Sequence, residues 1–194
     1  MRDEPVALHE RAADDLRFIR RTMERATSFT GVSGKGFVLA GVTALGAAWL
    51  ASLQTSREAW LAVWLAELAL AGPLVLGLSA AKARREGASL RSHTGRKLLF
   101  AFSPPMAVGA LLTAALYLSG GFDLLPGVWL GVYGAGVMTG GAYSVRVIPV
   151  MGAALIALGG VALLAPVPAD LVLALGMGGL HILFGTMVWR RYGG

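Results

Sequence analysis

Long apolar runs separated by short polar links are the dominant pattern along this chain. From residue 36 onward the apolar runs reach about 20 residues, which is the length a helix needs to cross a bilayer. Because the links are short, consecutive helices should be antiparallel neighbours in an all-α bundle. The pattern predicts six transmembrane helices, at residues 36–54, 58–81, 98–119, 125–144, 148–165 and 170–189.

A different periodicity precedes the first run. Within residues 5–27, apolar side chains at positions 12, 16, 19, 23 and 26 follow the three-to-four spacing of one helix face, while arginines dominate the rest. This predicts an N-terminal cytoplasmic amphipathic helix, which either lies on the headgroups or the base of the bundle, or forms a coiled coil for self-association or partner docking. The chain thus divides into a helix and link, residues 1–35, and a six-helix transmembrane domain, residues 36–194.

Composition agrees with a polytopic membrane protein. The chain is 56% hydrophobic and 14% charged, whereas soluble domains have roughly 45–50% apolar and about 25% charged residues. It contains no cysteine, which excludes disulfides, thiolate metal sites and cysteine nucleophiles.

Basic residues are distributed asymmetrically. Of the 17 lysines and arginines, only Arg57 falls on the opposite side of the six-helix scheme from the others. The positive-inside rule therefore places both termini in the cytoplasm. The same rule explains the net charge of +6 without a nucleic-acid partner. The dense basic run that ends at Lys97, and the isolated Arg146, supply the candidates for contact with anionic lipid headgroups or a protein partner. These candidates are Arg84, Arg85, Arg91, Arg96, Lys97 and Arg146.

The stretch from Gly127 to Ser144 is unusually rich in glycine, with six glycines in eighteen residues. Each would cost a soluble helix about 1 kcal/mol relative to alanine, but in a bilayer small residues let helices approach closely. Helical spacing also places two glycines on the face of His181 in the last helix. The predicted packing positions are Gly127, Gly131, Gly134, Gly136, Gly140, Gly178 and Gly185.

Glu67 and His181 are the two ionisable residues predicted to lie deep in the bilayer. A charge there costs about 2.5–3.5 kcal/mol on insertion scales, so such residues often have a specific role. Both should lie roughly 14–17 Å below the outer helix ends, at 1.5 Å per residue, and we expect a hydrogen bond between them. The alternatives are a neutral histidine bonded to a backbone carbonyl or a hydroxyl, a proton or substrate site, and a haem or metal ligand at His181.

The sequence contains no paired carboxylates, no nucleophile and base arrangement and no cluster of metal ligands, and no cofactor is predicted. The favoured function is therefore a non-catalytic subunit, scaffold or regulator that binds partners through its basic cytoplasmic face. Two alternatives stay open. One is a small proton-linked transporter that uses Glu67 and His181, and the other is a membrane enzyme acting on lipid.

Four passages are similar to a family of small uncharacterised bacterial six-helix integral membrane proteins. They are HERAADDLRFIRRTMERA at 9–26, SPPMAVGALLTAALY at 103–117, YGAGVMTGGAYSVRVIPVMG at 133–152 and GGLHILFGTMVWRRYGG at 178–194. The resemblance implies that the N-terminal helix and the six spans form one unit. It implies no activity and no catalytic residues.

Overall fold

The computed structural model describes residues 10–16 and 29–193, and this part of the chain is almost entirely helical. A 3₁₀ turn at Phe122–Leu124 precedes the fourth long helix. The predicted all-α class is confirmed. The long helices are α1 (Gly34–Ser52), α2 (Arg57–Arg85), α3 (His93–Ser119), α4 (Leu125–Gly141), α5 (Val147–Leu164) and α6 (Ala169–Tyr192).

Five of these helices are long and apolar enough to cross a membrane: α1, α2, α3, α5 and α6. The remaining helix, α4, has 17 residues, which corresponds to about 25 Å. Five of the six predicted spans are therefore supported by length and composition, and α4 is the shortest of the six helices.

Serine caps and a left-handed glycine keep the first connections short. The Ser33, Ser56 and Ser92 hydroxyls each accept a hydrogen bond from a backbone N–H in the first turn of α1, α2 and α3. Gly120 follows α3 with φ 76°, a conformation that costs glycine little and that commonly ends helices. The chain therefore reverses direction after each helix without long loops.

The six helices form two layers of three. In one layer α1 packs between α2 and α6, and in the other α4 packs between α3 and α5. The layers meet mainly where α6 contacts α4 and α5. Large side chains at this centre are fully buried, whereas leucines on the outer faces of α2 and α3 are exposed, as expected for surfaces in contact with lipid.

Glycines bring α1 and α6 into backbone contact. A Cβ added at Gly41 would lie 2.7 Å from the Gly178 carbonyl oxygen, and one added at Gly185 would lie 2.9 Å from the Gly34 carbonyl oxygen. The glycines are seven residues apart on each helix, so one face of α1 meets one face of α6 over two turns.

The α4–α5 pair is built in the same way. Gly127 faces Gly159, with a Cβ-to-carbonyl distance of 3.0 Å, and Gly134 faces Gly152 at 2.8 Å. A Cβ at Gly131 would contact nothing within 4 Å, although the backbone of Gly131 itself packs on Gly159.

The opposite face of α4 packs against α3. There, Cβ atoms at Gly136 and Gly140 would lie 3.2 Å from ring or side-chain atoms of Phe102. Glycines on two faces of α4 therefore accommodate a neighbouring helix on each side, as a central helix of a layer requires.

Residues 29–33, which lead into α1, lie at one end of the bundle, and all of them except Thr30 are buried. The Phe29 N–H donates to the Tyr143 carbonyl at 2.8 Å, and the Ser144 hydroxyl donates to the Phe29 carbonyl at 2.7 Å. The Ser33 N–H donates to the Ser79 hydroxyl at 3.0 Å. The predicted link to the first span is therefore bonded to both layers.

The predicted amphipathic helix at residues 5–27 lies largely outside the described residues. Its described portion, residues 10–16, is helical, and Leu16 of the predicted apolar stripe is 67% exposed.

Candidate functional site

His181 occupies the centre of the bundle, where the two layers meet. Its side chain is buried, and its Nε2 lies 2.7 Å from the Tyr133 hydroxyl of α4. Its Nδ1 lies 3.2 Å from the Gly176 carbonyl oxygen, within α6 itself. Both ring nitrogens are therefore hydrogen-bonded to the protein.

These two partners determine the tautomer of a neutral His181. A carbonyl oxygen can only accept, so Nδ1 must carry the hydrogen that bonds to Gly176. Nε2 then has a lone pair and accepts from the Tyr133 O–H. The pair is fully satisfied with the imidazole neutral, which agrees with the expectation of a histidine bonded to a backbone carbonyl.

A π-helical segment, Ala174–Leu180, directly precedes His181 in α6. Because a π-helical turn is wider than an α-helical turn, the carbonyl of Gly176, five residues before His181, can reach the Nδ1 atom of the histidine. Segments of this kind are rare and frequently occur at functional sites. Here the segment creates the hydrogen bond that orients the imidazole.

Four rings form a row across the bundle. Tyr133 and His181 are stacked with centroids 5.4 Å apart, Phe102 of α3 meets Tyr133 edge-on at 6.0 Å, and Phe37 of α1 meets His181 edge-on at 5.9 Å. The row joins α3, α4, α6 and α1, so it crosses both layers. Tyr133 was not identified from the sequence, because a tyrosine in an apolar run gives no spacing signal.

Glu67 is in a separate place, on α2. Its Oε1 accepts a 2.8 Å hydrogen bond from the Thr43 hydroxyl of α1. The expected hydrogen bond between Glu67 and His181 is not formed, because α1 lies between α2 and α6. The similar depth predicted for the two residues did not make them neighbours.

The contacts of His181 also bear on the haem alternative. A haem iron or another metal would need a free imidazole nitrogen, and both are used by Tyr133 and Gly176. Among the described residues no group of three histidine, aspartate or glutamate side chains is placed to hold a metal ion.

The predicted lipid or partner contacts are all exposed. Five lie between the end of α2 and the start of α3, and one lies in the α4–α5 connection. They are Arg84, Arg85, Arg91, Arg96, Lys97 and Arg146.

Lys82 behaves differently from these neighbours and was not singled out from the sequence. Its ammonium is buried, and Nζ donates to three carbonyls, those of Val32 at 3.2 Å, Tyr192 at 2.7 Å and Gly193 at 3.0 Å. Glu86, four residues later, lies 3.7 Å from Nζ. The ammonium thus joins the end of α2, the segment before α1 and the end of α6.

We call this region the basal junction; it comprises residues 29–33, 79–86, 143–146 and 189–193. At the other end of the bundle, which we call the distal end, Trp60 stacks on Trp129 with centroids 5.6 Å apart and donates from Nε1 to Asp170 at 2.7 Å. Trp64 is also buried there, but its Nε1 has no hydrogen-bond partner among the described residues.

No protein-family model matches this chain, and no curated protein or solved structure is significantly similar to it. The resemblance to the small six-helix bacterial proteins therefore stays a prediction.

Proposed function

We propose that this chain is a non-catalytic integral membrane protein of the bacterial inner membrane, with six spans and both termini in the cytoplasm. It acts as a subunit, scaffold or regulator that binds anionic lipid headgroups and a protein partner through its basal end. The observation that carries the proposal is the basal junction, where Phe29 and Lys82 fix the N-terminal segment against parts of both layers.

The sixth span of this proposal is α4. It has no charged residue between Leu125 and Gly141, and it packs between α3 and α5, both of which are long enough to cross a membrane. A helix that packs between two membrane-spanning helices should lie in the membrane as they do. With six spans, both ends of the chain lie on the basal side.

The buried polar groups support a structural role. His181 is held by Tyr133 and Gly176, and Lys82 is held by three carbonyls. Groups used in this way stabilise one arrangement of the helices, whereas a catalytic group needs an open position for substrate.

Topology can be tested directly because the chain has no cysteine. Single cysteines at Ser119, before α4, and Ala142, after α4, are exposed positions for a membrane-impermeant maleimide. We expect Ser119→Cys to react in intact spheroplasts and Ala142→Cys only in inverted vesicles. Labelling of both from the same side would show that α4 does not span.

Partner binding is tested with charge variants of the full-length protein in native membranes. Crosslinking followed by mass spectrometry should identify a partner of the wild type that is lost when Arg84, Arg85 and Arg91 are replaced by glutamine. The distal Arg57→Gln variant is the matched control and should keep the partner. Equal recovery from both variants would contradict binding through the basal end.

A small proton-linked carrier is the second candidate, and the π-helical segment beside His181 favours it. A carrier needs a path for water to this point. Tyr133→Cys should therefore react with a small thiol reagent from each side of the membrane if the protein is a carrier, and from neither side if the bundle is solid.

A further inference from the structure

Glu67 lies about 15 Å from the distal end of α2, at 1.5 Å per residue, on a partly exposed position. The surface around it is apolar: Leu65, Leu68 and Leu70 are 46%, 65% and 55% exposed. The carboxyl group is therefore close to the bilayer interior rather than to an aqueous surface.

The Thr43 hydroxyl has more acceptors than it has hydrogens. Its oxygen lies 2.8 Å from Glu67 Oε1, 3.0 Å from the Ala40 carbonyl and 3.2 Å from the Leu39 carbonyl. A hydroxyl has one hydrogen and two acceptor lone pairs. Two proton arrangements therefore fit the same positions of the heavy atoms.

In the first arrangement Thr43 donates to an ionised Glu67. The negative charge then has one donor, and Oε2 has no hydrogen bond to the described residues. In the second arrangement Glu67 carries a proton and donates it to Thr43, and the Thr43 hydrogen bonds to Ala40 or Leu39. The second arrangement satisfies both hydrogens without placing a charge in hydrocarbon.

Charged and titratable groups facing Glu67 are distant. On α1 there is Lys35, about 12 Å along the helix from Thr43, and its ammonium lies over the Trp189 ring. On α2 itself, Arg57 and Glu58 lie toward the distal end. The remaining ones, toward the basal end of α2, are Lys82, Arg84 and Arg85.

Among the contacts of α2 with the second layer and α6, Trp60 stacks on Trp129 and bonds to Asp170 near the distal end, and Lys82 bonds to Tyr192 at the basal end. Tyr133 and His181 bond to each other. Among the described residues, no cation forms an ion pair with Glu67.

We propose that Glu67 is a proton-binding site which carries its proton at neutral pH and reacts with hydrophobic carbodiimides that enter from the lipid. Another polar group of α2 is also unsatisfied: the indole N–H of Trp64, three residues before Glu67, is buried without a partner in the described part of the chain. The proposal is independent of the proposed function, because a scaffold and a carrier can both contain such a site.

The modification requires the protonated carboxyl. The acid transfers its proton to one carbodiimide nitrogen, and the resulting carboxylate oxygen bonds to the central carbon, which gives an O-acylisourea. The acyl group then migrates from oxygen to nitrogen and forms a stable N-acylurea. The reaction is an addition, so no leaving group and no further reagent are needed.

The experiment uses the full-length protein in lipid nanodiscs, treated with dicyclohexylcarbodiimide across a pH series and mapped by tandem mass spectrometry. We expect an adduct on Glu67 that persists at pH 7, whereas an ordinary glutamate, which titrates near pH 4.3, would be almost entirely ionised there. A water-soluble carbodiimide should instead modify exposed carboxyls such as Glu58 and Asp123. The adduct should be lost in Glu67→Gln.

Variants of Thr43 show whether the local geometry controls the proton. Thr43→Val removes the one hydrogen-bond partner that Glu67 has among the described residues, whichever form the carboxyl takes. Because an unpaired charge costs more in an apolar site than an unpaired neutral acid, reaction at Glu67 should extend to higher pH. Thr43→Ser keeps the hydroxyl and should retain the wild-type pH profile. Absence of the Glu67 adduct at pH 7 in protein with an unchanged melting temperature would overturn the proposal. A shift to lower pH in Thr43→Val would overturn it as well.

Discussion

The Tyr133 hydroxyl and His181 Nε2 are 2.7 Å apart, and the two rings are stacked, so one residue pair joins the two layers of the bundle. Since the hydrogen bond and the stacking are made by different parts of the tyrosine, they can be separated by mutation. Removing the hydroxyl alone leaves a buried imidazole nitrogen without its donor.

Tyr133→Phe should therefore destabilise the protein by about 1–3 kcal/mol, the cost of an unsatisfied buried polar group. Tyr117→Phe is the matched control, because Tyr117 is 44% exposed and a surface change should stay within about 0.5 kcal/mol. Thermal unfolding in detergent, followed by tryptophan fluorescence, measures both. Equal melting temperatures for the two variants would contradict a contribution from the hydrogen bond.

Gly134 and Gly131 provide a second matched pair on α4. A Cβ at Gly134 would lie 2.8 Å from the Gly152 carbonyl oxygen, whereas one at Gly131 would meet nothing within 4 Å. Gly134→Ala should therefore push α5 away and cost about 1–3 kcal/mol, while Gly131→Ala should be neutral or slightly stabilising. Melting temperatures of the two variants, measured side by side in the same detergent, test this. A larger loss in Gly131→Ala would show that the packing face of α4 is assigned wrongly.

Lys82→Met should loosen the basal junction. The substitution leaves three carbonyls without the ammonium that now binds them, and a buried acceptor left without a donor costs about 1–3 kcal/mol. Limited proteolysis should then cleave near residues 29–33 and near the C-terminus faster than in the wild type. The exposed neighbour Arg84 supplies the control, and Arg84→Met should leave the cleavage rate unchanged. Faster cleavage in both variants would indicate a general effect of charge.

Trp60 and Trp64 should differ when each is replaced by phenylalanine. Trp60→Phe loses the 2.7 Å hydrogen bond to Asp170 and part of the stacking on Trp129. Trp64→Phe loses a similar volume but removes an indole N–H that has no partner among the described residues, which offsets part of the cost. Chemical unfolding should show a smaller loss for Trp64→Phe. The reverse order would mean that the Trp64 N–H is bonded in the membrane.

The sequence alone determined that the chain is helical and where its helices lie. Lipid cannot hydrogen-bond to the backbone, so apolar runs of about 20 residues must become helices, and this holds whatever their neighbours are. Counting residues along these helices, at 1.5 Å per residue, predicted similar depths for Glu67 and His181. The glycines of α4, such as Gly134 and Gly136, predicted that this helix packs closely against its neighbours.

Only the tertiary structure decided which helices are neighbours, and therefore which side chains meet. Helix length fixes the depth of a residue, but it does not fix the rotation of the helix or the order of packing. Because α1 lies between α2 and α6, Glu67 bonds to Thr43 and His181 bonds to Tyr133. Lys82 is a further example. Its position in the sequence shows only that it lies at the end of an apolar run, whereas the tertiary structure places its ammonium against carbonyls of the segment before α1 and of the end of α6.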